Sequence, residues 1–359
     1  MTPPRRKTRR IRLGALPVGG GAPISVQSMT STDTRDVRAT VRQARRLVAA
    51  GCEVVRIAVP DAEAAGTLCR IRAALPGVPL VADIHFNHRF ALAAVEAGFD
   101  GLRLNPGNIG AASRVREVVA AAQARRVPIR IGVNAGSVEK RLLVRYGGPT
   151  PRAMAESALG HVAILEDAGF RAIKISVKAH DVPSTIEAYR LLAEKVDYPF
   201  HGGITEAGTL VPGALRSGVG LGILLHLGLA DTIRVSLTAD PVQEVLAGYR
   251  ILKALGLRRR GADVVSCPTC GRCHGDVEGI ARRLEKRLAG VGEDLRVAVM
   301  GCEVNGPGEA READVGLALG KGCGLLFARG RVVRKVPAAS IEAALREAVD
   351  DLVRRRRRR

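Results

Sequence analysis

Between residues 24 and 237 the chain passes through eight short stretches rich in β-branched residues, each followed by an Ala-, Leu- and Arg-rich stretch of helical character. The strand candidates are 24–29, 53–59, 80–85, 101–106, 129–135, 172–179, 200–205 and 232–237, with amphipathic segments such as 38–50, 62–74 and 112–125 between them. Parallel strands need a crossover of a dozen or more residues, normally a helix. Eight β-α units in series therefore predict a (β/α)8 barrel of the TIM type.

Side chains change face at every residue of a strand, so Ile129, Ile131 and Val133 share one face and Arg130, Gly132 and Asn134 the other. Leu102 and Leu104 likewise oppose Arg103 and Asn105. Ile173, Ile175 and Val177 oppose Lys174, Ser176 and Lys178, while Ile233, Val235 and Leu237 oppose Arg234 and Ser236. Arg56 stands between Val55 and Ile57. The apolar set must face the surrounding helices, which turns the polar set toward the barrel axis. Asp83 and His85 join it from the third strand, His201, Gly203 and Thr205 from the seventh, with Glu206 just beyond.

Barrel interiors are normally filled by branched apolar side chains. Internal ion pairs with Asp83 and Glu206 could account for part of a lining of Arg56, Arg103, Arg130, Lys178 and Arg234. Five cations against two carboxylates leave an excess that is costly to bury. A phosphorylated ligand removes the imbalance, since arginine binds phosphate oxygens in pairs. Asn134, Ser236 and the segment 105–108 would add neutral donors.

Near Leu255 the pattern changes, dividing the chain into a barrel (1–256) and a small α/β domain (257–359) with a helix at 277–288 and a strand at 295–300. Cys267, Cys270 and Cys273 lie in S-C-P-T-C-G-R-C, and Cys302 and Glu309 in G-C-E-V-N-G-P-G-E. Such spacing suits an iron-sulfur cluster or a zinc ion, and spacing alone does not separate them. No apolar stretch follows the basic N-terminus as a secretory signal would require, and no run reaches membrane-span length. The chain is expected to be cytoplasmic, where thiols stay reduced.

The net charge of +21 resembles a nucleic-acid signature until its location is considered. Six of the cations lie between Arg5 and Arg12 and six more are Arg354 to Arg359. Aromatic residues make up only 3% and Trp is absent, so stacking platforms for single strands are scarce. The hexa-Arg end reads as a solvated, disordered tail. A barrel carrying a structural zinc module that binds nucleic acid through Arg-rich ends is the alternative. It gives no reason for cations inside a barrel.

S-C-P-T-C-G-R and G-C-E-V-N-G-P-G-E-A, with V-Q-S-M-T, V-A-D-I-H-F, L-R-L-N-P-G-N-I-G, I-R-I-G-V-N-A-G-S, G-I-T-E-A-G and R-V-S-L upstream, resemble the 4-hydroxy-3-methylbut-2-enyl diphosphate synthase family in its two-domain bacterial form. The similarity spans about residues 9–348. It implies an oxidoreductase of the non-mevalonate isoprenoid pathway that opens 2-C-methyl-D-erythritol 2,4-cyclodiphosphate reductively, with loss of water. It also implies one [4Fe-4S] cluster per chain on Cys267, Cys270, Cys302 and Glu309, and a flavodoxin or ferredoxin donor. The family pairs as head-to-tail homodimers, so one chain's cluster caps the other's barrel; a short linker near Gly256 agrees with that. Carried over residue by residue, the resemblance puts Arg56, Arg103, Arg130, Lys178, Arg234 and Ser236 on the diphosphate. Asn134 would lie alongside, Glu206 near the hydroxyls as proton donor, and Asn305 would reach in from the cluster side; Asp83 and His85, placed in the lining by strand alternation, are expected to contact the substrate with them. The family pattern requires no cysteine at position 273: with G-P-G-E intact Cys273 is expected to be a bystander, the alternative being that it replaces Glu309 as fourth ligand and closes the open site.

Overall fold

The computed structural model describes residues 5–302, 308 and 310–358. A short antiparallel hairpin, β1 (Ile11–Leu13) and β2 (Leu16–Val18), opens the chain. Eight parallel strands follow: β3 (Ser25–Met29), β4 (Val54–Ala58), β5 (Leu80–Asp83), β6 (Gly101–Arg103), β7 (Ile129–Asn134), β8 (Ile173–Lys178), β9 (His201–Gly202) and β10 (Thr232–Ile233). β3 to β8 pair in chain order, and β10 pairs with both β9 and β3. A parallel bridge from Ile175 to Phe200 joins β8 to β9 and completes the ring. The expected (β/α)8 barrel is therefore present, with its apolar strand faces buried against the helices. Asp36, Asp61, Asp181 and Asp240 each accept a hydrogen bond from a first-turn backbone N–H, which fixes where four of those helices begin.

Every strand is shorter than its sequence run, β9 and β10 the most. β9 and β10 keep two paired residues each, and the Leu237 N–H turns away to the Glu244 carboxylate (3.0 Å). The hairpin, by contrast, carries no sequence period long enough to detect. Leu13 and Val18 are buried against Val54 and Val81 at the N-terminal end of the barrel. The basic segment leading into it is held by the barrel: Arg5 pairs with Asp231 at 2.9 Å, Arg9 pairs with Asp197 at 2.6 Å, and Arg6 lies 3.9 Å from the Phe200 ring centre.

Met1–Arg258 and Arg259–Arg359 are separate compact units. The second contains a five-stranded sheet in the order β11 (Ala262–Ser266), β12 (Leu295–Met300), β13 (Val315–Gly320), β14 (Cys323–Ala328) and β15 (Arg331–Pro337). β11 to β13 are parallel; β14 and β15 complete the sheet as antiparallel strands. Helices Val277–Leu288 and Ile341–Arg357 pack on one face through residues such as Ile280, Leu284, Leu345 and Val349.

The arginine-rich end corrects the expectation of a disordered tail. Arg354 to Arg357 form the last turn of helix Ile341–Arg357, with Arg356 paired to Asp314 (2.8 Å) and Arg357 to Glu293 (2.9 Å). Cations there also interact favourably with the carbonyl end of the helix dipole. Among the described residues no helix is long and apolar enough to cross a membrane.

Candidate functional site

Strand alternation brings Arg56, Arg103, Arg130, Lys178 and Arg234 into the wall of one cavity of about 120 Å³. Asp83, His85, Asn134 and Ser236 share that wall, as do Ser176 and Thr205. The cavity lies at the C-terminal ends of the strands, where barrel active sites are built. Two glycines make the crowding possible. A Cβ at Gly132 would stand 2.5 Å from Arg103 Nε, and one at Gly203 would stand 2.5 Å from Lys178 Nζ.

The cations are held unequally. Arg234 donates from Nε (3.2 Å) and Nη2 (3.1 Å) to Glu244, whose carboxylate also accepts from Ser28 Oγ at 2.7 Å. Arg103 donates to the Gly132 carbonyl at 2.8 Å and lies 3.3 Å from Asp83 Oδ1. Arg56 reaches only to 3.8 Å from the same carboxylate. Arg130 donates to Ser176 Oγ (2.7 Å), and its Nε and Nη2 are buried without a partner. Beneath the cavity Lys174 is 2% exposed, and His201 is fully buried with Nε2 unpartnered. Among the described residues no carboxylate lies within 4.0 Å of Arg130, Lys174 or Lys178.

That imbalance is visible in the proton affinities. Burial, reinforced by neighbouring arginines, depresses Lys178 and Arg130 well below their ordinary values and lowers Lys174 to about 7 and Arg56 to about 10. Burial would raise the Asp83 carboxyl, yet Arg56, His85 and Arg103 together hold it well below the usual carboxylate range.

Two expectations need correction. Glu206 is exposed one residue beyond the cavity wall, in a left-handed backbone conformation (φ 53°), and pairs with none of the lining cations. The internal carboxylate partner of Arg234 is Glu244 instead, 3% exposed on helix Pro241–Ala254. Strand alternation could not reveal a residue on a helix, although Glu244 belongs to that helix's buried stripe with Val245, Gly248 and Leu252. Asn105 is likewise not a free donor, because its amide bonds the Gly132 N–H and carbonyl together.

In the second unit, Cys267 directly follows β11, and Cys302 comes just after the end of the neighbouring strand β12. The Gly301 N–H donates to Cys267 Sγ (3.1 Å), the kind of bond that steadies a thiolate in an iron-sulfur site. A Cβ at Gly301 would stand 3.4 Å from Cys267 Sγ and 2.8 Å from Cys273 Sγ, so glycine keeps this space open. Cys270 is exposed. Among the described residues no three His, Cys, Asp or Glu side chains converge as they would around a single metal ion. Asn305 and Glu309 lie outside the described residues.

Residues 8–249 match the GcpE TIM-barrel domain, and residues 263–351 match the GcpE protein C-terminal domain. The chain belongs to the GcpE family. It is 62% identical over 347 residues to the 4-hydroxy-3-methylbut-2-en-1-yl diphosphate synthase (flavodoxin) of Geobacter sulfurreducens, covering 97% of this chain and 98% of that protein. Proteins of the same name from Symbiobacterium thermophilum and Thermodesulfovibrio yellowstonii are 56% and 52% identical, each over 96% of this chain and over 93% and 99% of their own lengths. Dihydropteroate synthase from Stenotrophomonas maltophilia shares the barrel fold of this GcpE-family chain, with a TM-score of 0.50 and 16% identity over 69% of this chain and 98% of that one. None of these matches supports a nucleic-acid-binding zinc protein.

Proposed function

We propose that this chain reduces 2-C-methyl-D-erythritol 2,4-cyclodiphosphate to 4-hydroxy-3-methylbut-2-enyl diphosphate, with flavodoxin as the electron donor. The observation that carries this reading is the gathering of five cations in one barrel-mouth cavity. Counting Lys174, six buried or half-buried basic side chains face only Asp83 and Glu244, four more than the carboxylates can match, and the lowered proton affinities of Lys174 and Lys178 reflect the cost of charging them without an anion. A cyclic diphosphate enters as a dianion and leaves as a linear trianion, taking up two electrons and one proton and releasing one water. The site therefore stabilises charge that appears only as the C–O bond to the bridging phosphate breaks.

Arg56, Arg103, Arg130, Lys178 and Arg234 would clamp the phosphate oxygens, with Ser236 and Asn134 donating beside them and Asp83 holding Arg103 and His85 in place. Glu206 is our candidate for proton delivery at the rim. Its constrained backbone is fixed by bonds to its carbonyl from His180 Nδ1 (3.0 Å) and Arg216 Nη1 (3.5 Å). One [4Fe-4S] cluster, on Cys267, Cys270, Cys302 and Glu309, would supply electrons singly and a Lewis-acidic iron. Asn305 would reach the substrate from that side.

A cytoplasmic homodimer, in which one chain's second unit serves the other's barrel, completes the reading. Helix Leu210–His226 supports it. Val211, Leu215, Val219 and Ile223 recur every four residues and are 66%, 67%, 58% and 40% exposed, an apolar stripe that a second copy would cover.

The test is anaerobic turnover of the cyclic diphosphate by cluster-loaded protein with a reduced low-potential dye, followed by phosphorus NMR. Linear allylic diphosphate is the expected product. Fully loaded protein that leaves the ring closed would refute the assignment.

A further inference from the structure

We propose that the edge of the second unit formed by β15 and helix Ile341–Arg357 is the docking surface for an acidic one-electron carrier protein. This rests on the reading above, in which each turnover consumes two electrons and so requires two encounters with such a carrier. An encounter that must form and dissolve twice per turnover suits a small, charge-steered surface.

β15 is an edge strand whose first five residues, Arg331 to Lys335, are all exposed. Between it and helix Ile341–Arg357 lies a groove of about 610 Å³, whose lining includes Arg334, Lys335, Arg346 and Arg354. The two acids of the groove are already engaged, Asp350 by Arg287 (2.6 Å) and Glu347 by Arg334 (3.6 Å). Among the described residues no carboxylate lies within 4.0 Å of Arg331, Lys335 or Arg346. Beside these cations Val332 and Val333 are 55% and 65% exposed, giving apolar contact area within a charged rim.

The placement suits electron delivery. β14 runs antiparallel to both β13 and β15, so the Pro337 end of β15 lies at the same end of the sheet as Ser266 and Met300, which lead into the cysteine motifs. Three strand spacings separate β15 from β12, about 14 Å across the sheet.

The experiment compares full-length, cluster-loaded wild type with the R334E/K335E double variant and with R346E, each driven either by reduced flavodoxin or by a small reduced dye. Flavodoxin-driven kcat/KM at low salt should fall roughly tenfold or more through KM, with dye-driven turnover within about twofold of wild type. The decline of the wild-type rate with added salt should flatten in the variants. Flavodoxin-driven rates that stay near wild type would overturn the proposal and leave the cations only the task of blunting an exposed edge. If charge reversal perturbs folding, R334Q/K335Q is read the same way, and equal losses in both assays overturn it. Titration of oxidised flavodoxin onto wild type and variants measures docking without turnover. Failure of dye-driven turnover in wild type would count against the function rather than the docking surface.

Discussion

Replacing Arg130 with Met should stabilise the substrate-free protein and at the same time abolish tight substrate binding. Arg130 is 3% exposed, two of its nitrogens have no partner, and Arg56 and Arg103 are close enough to depress it. Met fills much of the same volume without the buried charge, and Ser176 Oγ keeps its bond to the Ile131 carbonyl (3.3 Å). Exchanging buried ion pairs for apolar groups of similar size is often neutral or gains about 1–4 kcal/mol, and among the described residues Arg130 has no carboxylate within 4.0 Å that its removal would strand. On the binding side, each charge-assisted bond to phosphate contributes ~1.5–3 kcal/mol. Losing two of them weakens affinity by about 10²- to 10⁴-fold. Denaturant unfolding of substrate-free protein and calorimetric titration with the cyclic diphosphate, without reductant, measure the two effects separately. A variant that unfolds earlier than wild type yet binds the diphosphate with unchanged affinity would refute the reasoning that this cation is kept for a ligand.

Lys174 has a folded-state value of about 7, below its unfolded value of 10.5, so the unfolded chain binds more protons between those limits and stability should rise with pH from 7 toward 10. Lys174→Met should remove that component, as unfolding midpoints across the window would show; an unchanged slope contradicts it. If the proposed homodimer pairs through helix Leu210–His226, Leu215→Asp combined with Val219→Asp should convert it to monomers in sedimentation, and a dimer unaltered by the substitutions would refute that interface. Gly301→Ala should lower iron and sulfide content by crowding Cys273 and Cys267, while Cys273→Ser should retain both; loss of the cluster from the serine variant would make Cys273 a ligand. Deleting residues 354–359 should cost about 1–2 kcal/mol, since it removes two half-buried ion pairs worth up to ~1 kcal/mol each, and should leave dye-driven turnover intact. A collapse of turnover would give the arginines a catalytic role.

Much of this molecule is local information. Strand alternation depends on backbone geometry alone, so the inward set Arg56, Arg103, Arg130, Lys178 and Arg234 could be read from residue parity once eight strands were recognised. The helix at Val277–Leu288 and the strand at Leu295–Met300 carry equally clear periods. Tertiary structure decided which opposite charge meets which cation. Glu206 neighbours the lining in sequence but stays outside it, because the chain turns at that residue into a left-handed conformation. Glu244 enters from a helix and takes Arg234 with two bonds. The hairpin that closes the barrel floor and the ordering of Arg354 to Arg357 were also beyond the sequence pattern. Each depends on contacts between residues far apart in the chain, such as Leu13 with Val81 and Arg356 with Asp314. Parity fixes the face on which a side chain lies, but only packing fixes the partner it finds there.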